Sequence, residues 1–91
     1  MTRQEFLTSS GVEAQTLEFW LEQEWLIPER NAGGMRFSEH DVARARLIRD
    51  LKADLGINDE GIDVVLHLVD QLHGVRRALA QLRAELRREP T

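Results

Sequence analysis

From Ile62 to Leu86 the apolar residues recur at intervals of three and four: Ile62, Val65, Val69 and Leu72, then Val75, Leu79, Leu82 and Leu86. A strand returns to the same face every second residue, whereas an α-helix does so after 3.6. The C-terminal third is therefore helical, with its apolar residues on a stripe at heptad spacing. The step from Leu72 to Val75 breaks the alternation, Gly74 lies inside that step, and a strict register would put Arg76 and Arg83 in the seam. This predicts a kink or break near Gly74 and a terminal helix from about Val75 to Arg88. One seam on so short a domain needs a partner surface, and a second copy of the chain is the simplest supplier. Val69, Leu72, Val75, Leu79, Leu82 and Leu86 are the predicted dimerisation residues.

The remainder also reads as helices, with no strand of any length. Thr2-x-x-Glu5 is a capping-box pattern that opens a short helix to about Ser9, and Ser10-Gly11 supplies a tight turn. A second helix runs from there to about Glu24, with Leu17 and Leu21 predicted to face the core and Trp20 assigned to it. Residues 28–37, opened by Pro28 and loosened by Gly33-Gly34, form a loop that in a winged helix would be a small hairpin. Ser38-x-x-Asp41 signals the start of a third helix carrying Val42, Leu47, Ile48, Leu51 and Leu55, with Gly56 as its stop and Asn58 as the next cap. The division expected is a head over 1–56 and C-terminal helices over 57–91.

Several function classes are excluded. With no cysteine in 91 residues, disulfides and thiolate metal sites are ruled out. His40, His67 and His73 lack the spacing of a metal site, and Asp63–His67 reads as a surface contact. No nucleophile–base pair, phosphate loop or carboxylate pair in a plausible cleft is visible, so the chain is not expected to be an enzyme or to carry a cofactor. No segment approaches the length of a membrane span or resembles a signal peptide, and the expected location is the cytoplasm.

Charge is distributed unevenly. Residues 1–40 hold Arg3, Arg30 and Arg36 against seven Glu, whereas residues 75–88 hold five Arg against Glu85 alone. The basic tail fits a helix C-terminus, where cations complement the dipole. The acidic head is less ordinary. The second helix of a helix-turn-helix DNA reader should carry Arg or Lys, since affinity for DNA comes largely from cations that displace counterions on phosphate. Here that helix carries Glu13, Glu18, Glu22 and Glu24, and no Lys or Arg occurs between Arg3 and Arg30. Glu18 and Glu22, four apart, share one face. They are either an ordinary solvated face or a surface for a basic partner, and a basic protein fits better than a nucleic acid. Trp25 stays open between core residue and interface anchor, and joins the four acids as a candidate partner-binding residue.

The order of parts resembles the MerR-type head: helix, turn, helix with the aromatic pair Phe19-Trp20, a Pro-bearing loop, then Arg36-x-Ser38-x-x-Asp41 opening a third helix. More closely, the chain resembles MerR-related chaperone modulators of the CbpM type. The segments carrying the match are Trp25–Glu29, Met35–Asp41, Leu51–Asn58 and Gly61–Asp70, so it covers nearly the whole chain and weakens after Gly74. The resemblance implies an all-α fold, a winged helix-turn-helix head with a coiled-coil-like C-terminal dimerisation region. It implies a non-catalytic inhibitor that binds the J-domain of a DnaJ-like, CbpA-type co-chaperone and suppresses both its stimulation of Hsp70 and its DNA binding. J-domains present a basic second helix, which an acidic head would suit. Glu18 stands where MerR-type DNA readers usually have Arg, and Glu24 where a Gly usually makes the turn. Arg36 matches a wing residue that touches phosphate in DNA-binding relatives. The rival expectation is a DNA-binding regulator using Arg36 with Arg44, Arg46 and Arg49.

Overall fold

In the computed structural model, which describes residues 1–88, the chain divides into two compact units, Met1–Asn58 and a second opening at Asp59. The first holds α1 (Arg3–Ser10), α2 (Ala14–Glu22), a hairpin of β1 (Glu29–Asn31) and β2 (Gly34–Arg36), and α3 (Glu39–Ala53). The second is α4 (Asp59–Arg88). The fold is the all-α winged head with a helical extension that the sequence predicts, the wing being three paired positions of antiparallel strand, Glu29 opposite Arg36, Arg30 opposite Met35 and Asn31 opposite Gly34.

Both capping boxes form. Thr2 Oγ1 accepts from the Glu5 backbone N–H while Thr2 N–H donates to the Glu5 carboxylate. Ser38 and Asp41 repeat the arrangement at α3. Each box satisfies two backbone donors that the first turn of a helix otherwise leaves without partners. Gly11 stops α1 in the left-handed region at φ 72°, and its N–H returns to the Leu7 carbonyl. A side chain there would be strained by that backbone, and its Cβ would stand 3.0 Å from Arg49 Nη1.

The core of the head joins Phe6 of α1, Leu17 and Trp20 of α2, and Val42, Ala45, Ile48 and Leu51 of α3. Phe6 stacks on Phe37, which follows β2, at 4.4 Å between ring centroids. Met1 and Phe37 exchange backbone hydrogen bonds of 2.6 and 2.8 Å, tying the chain start to the foot of the wing. Leu21, expected in the core with Leu17, is half-buried, and Leu55, expected on the third helix, lies beyond its end and is exposed.

The break predicted at Gly74 is absent: α4 is one helix of 30 residues, about 45 Å long. The physical reason is that α4 carries two stripes. Ile62 and Leu66 are buried and Val69, half-buried, lies on their side. Leu68, Leu72, Val75, Leu79, Leu82 and Leu86 are exposed, with half-buried Val65 at their head. These stripes lie roughly a third of a turn apart. Joining Ile62 and Val69 to Leu72 crosses from one to the other and creates the apparent stutter. Taken alone, the exposed stripe alternates three and four without interruption from Val65 to Leu86. Arg76 and Arg83 flank it instead of entering it. Val69, predicted among the dimerisation residues, belongs to the other stripe.

Candidate functional site

The site is the outward face of α2 with the turn that ends it. Leu17 and Trp20 point α2 inward, which leaves Glu18, Phe19 and Glu22 outside. Glu13 is the N-cap residue, exposed, with no hydrogen bond from its side chain to the helix. Its carboxylate is well placed for the positive end of the helix dipole. At the other end the chain closes a Schellman turn. The Trp25 N–H donates to the Trp20 carbonyl at 3.0 Å and the Glu24 N–H to the Leu21 carbonyl at 3.1 Å. That motif requires a left-handed residue, and Glu24 supplies it at φ 59° where glycine is the usual occupant.

All four acids predicted for partner binding are exposed. Glu18 and Glu22 stand side by side on α2, whereas Glu13 and Glu24 mark its two ends. Trp25 is a different case. At 2 % exposure it is enclosed, its ring meeting Phe19 edge-on at 5.6 Å with the Lys52 ammonium 5.7 Å from its centroid. The turn at Glu24 aims Trp25 into the core, so it anchors the fold and offers no surface to a partner.

The sequence reading missed Arg3. Its guanidinium pairs with Glu18 at 2.8 Å, both side chains about half exposed. The acidic face therefore has a cation delivered from α1, fifteen residues away in sequence, where helical spacing within α2 gives no sign of it. An exposed pair of this kind contributes little to stability, under about 1 kcal/mol. It does fix where one carboxylate points.

The cations of α3 are placed for another purpose. Arg44 Nε donates to the Trp25 carbonyl at 2.5 Å, and Arg49 Nη1 donates to the Ser10 carbonyl at 2.6 Å. The Ser10 carbonyl closes α1 and the Trp25 carbonyl follows the turn after α2, places where the backbone lacks intrahelical donors. Two of the four guanidiniums used by the DNA-binding alternative, half-buried Arg44 and exposed Arg49, are thus bonded to backbone of the head itself, while Arg46 is exposed. In the wing, Arg30 and Arg36 are exposed, and Arg36 stands opposite Glu29. Arg36 also acts on Glu5, whose carboxyl is held below its ordinary range mainly by the hydrogen bonds from Thr2, with smaller contributions from the amino terminus and Arg36.

No group of three His, Asp or Glu that could hold a metal ion occurs among the described residues, and His67 is instead 3.3 Å from the Gln71 amide nitrogen. No described helix is long and apolar enough to cross a membrane.

A short helix, a turn, a second helix, a hairpin and a third helix make a winged helix-turn-helix head, here followed by a single long helix. The chain belongs to the MerR helix-turn-helix family of regulatory proteins, whose family model matches residues 1–84. It is similar to a Streptomyces coelicolor protein assigned as the heat shock protein HspR, 35 % identical over 78 residues, which are 85 % of this chain. The chain spans about half of that relative, 52 % of its length. No solved structure matches the chain.

Proposed function

We propose that this protein is a non-catalytic modulator that binds the J-domain of a DnaJ-like, CbpA-type co-chaperone and inhibits its Hsp70-stimulating and DNA-binding activities. The observation that carries this reading is the outward face of α2. In the position of a recognition helix it presents Glu18 and Glu22, flanked by Glu13 and Glu24, and no basic side chain of its own. Such a face repels phosphate and attracts a basic helix. The resemblance to CbpM-type modulators supplies the partner, and the bonding of Arg44 and Arg49 to backbone carbonyls weakens the DNA alternative. The protein acts as a homodimer, with the exposed stripe Leu68 to Leu86 as the seam.

The test is calorimetric titration of the full chain against the J-domain at low and moderate salt. Affinity should fall as salt rises, since such charges act mainly through long-range attraction. Glu22→Lys should weaken binding at least tenfold with the circular dichroism spectrum unchanged. Glu18→Lys adds to the loss but also sets a lysine beside Arg3, so Glu22→Lys is the cleaner variant. Salt-independent binding, or a Glu22→Lys protein that binds normally, would sink the acidic-face mechanism.

A second reading has its own support. Membership of the MerR family and the likeness to an HspR-assigned protein fit a DNA-binding transcriptional regulator, with Arg30 and Arg36 on the wing. It requires a dimer on a palindromic site. Gel-shift binding that survives competitor DNA, lost in Arg36→Ala, would establish it in place of the first.

A further inference from the structure

Beside the acidic face, between the end of α2 and β1, lies a cleft of about 270 Å³. Its lining is mixed: Leu21, Leu26, Ile27 and Pro28 contribute apolar surface, and Glu22, Glu24 and Arg30 contribute the polar part. Ile27 is 74 % exposed, although Trp25, Leu26 and Pro28 around it are all buried. Those neighbours hold the backbone on both sides, so a β-branched side chain with few rotamers is fixed facing water. Presenting it this way spares most of the ordering cost that an interface residue incurs on binding. Two carboxylates stand at the rim against one guanidinium, Arg30. A mixed lining, with apolar surface at Leu21 and Ile27 and a net negative polar part, is complementary to a helix that carries lysines or arginines around an apolar side chain.

We propose that this cleft receives one apolar side chain of a basic amphipathic helix, packed against Ile27 and Leu21, while Glu22 and Glu24 meet the flanking cations. The inference deepens the co-chaperone reading and rests on it: the helix is the basic one of the J-domain. The acids supply attraction at a distance, and Ile27 supplies contact energy and the register of the docked helix. The two contributions separate by their response to salt, because apolar contact is not screened.

Ile27→Ser in the full chain, titrated with the J-domain at two salt concentrations, tests this. The expected result is an affinity loss of about tenfold that is the same at both salts, with thermal midpoint and helicity unchanged. Amide shifts at Leu21 and Ile27 in the labelled wild type should move on addition of the J-domain. If Ile27→Ser binds as tightly as the wild type, or those shifts stay still while binding proceeds, the cleft is not the contact and the modulator reading stands without it. If Ile27→Ser alters self-association in the ultracentrifuge and leaves J-domain affinity intact, a second copy occupies the cleft and the proposal is overturned. A wild-type protein that fails to bind the J-domain overturns both readings at once.

Discussion

Glu24 holds a backbone conformation, φ 59°, in which Cβ crowds the following carbonyl. Glycine would take that turn at little steric cost, so replacing Glu24 by Gly should raise unfolding stability by about 1 kcal/mol. Urea denaturation checks this, and the same variant should bind the basic partner more weakly. A stabilised protein with unchanged affinity would make Glu24 a strained residue without a binding role. Glu5 behaves differently. Its carboxyl lies below its ordinary range because the ionised form accepts hydrogen bonds from Thr2. Folding therefore favours the charged form, and the contribution is complete above the ordinary unfolded value. It is lost as pH falls through the lower folded value. Stability measured from pH 6 down to pH 3 should thus decline less steeply for Glu5→Gln than for the wild type.

Among the elements, α1 and α3 were the most legible in the sequence, because Thr2-x-x-Glu5 and Ser38-x-x-Asp41 encode their caps within four residues. Pro28 and Gly33-Gly34 marked the loop that pairs as the wing, and helical spacing gave the shared face of Glu18 and Glu22. Glu13 and Glu24 lie outside α2, and their exposure had no such signal. What escaped was decided by contacts between elements. The ion pair of Arg3 with Glu18 and the bonds of Arg44 and Arg49 to carbonyls of Trp25 and Ser10 span 15 to 39 positions, and no periodicity reports them. Trp25 was undecidable for the same reason, since the turn at Glu24 determines which way it faces. In α4 the signal was present but composite, two stripes read as one. Its continuity has a direct test. Gly74 sits in helical backbone with open space where a Cβ would be, so Gly74→Ala should add helicity and about 0.5–1 kcal/mol of stability. A loss of stability would indicate that the helix needs glycine to bend there.

At the scale of the whole molecule, the 30-residue α4 leaves apolar side chains at Leu72, Val75, Leu79 and Leu82 between 45 and 65 % exposed. A regular heptad stripe of this kind is the pattern that two helices bury against each other. Sedimentation should show a dimer, with a thermal midpoint that rises with protein concentration. Leu79→Asp should yield a monomer whose head stays folded, with the Trp20 and Trp25 fluorescence of the wild type. A monomeric wild type at high concentration would remove the dimer from the proposed function while leaving the acidic face untouched.

The inward bonds of Arg44 and Arg49 also bear on redesign. Exchanging the α2 acids for lysines would remove the repulsion between this head and a phosphate backbone. Those two guanidiniums would nevertheless remain bonded to the carbonyls of Trp25 and Ser10. Turning them outward would exchange fold for affinity. A nucleic-acid-reading version of this scaffold therefore calls for cations at fresh positions on α3 beside Arg46, since Arg44 and Arg49 serve as mortar between its helices.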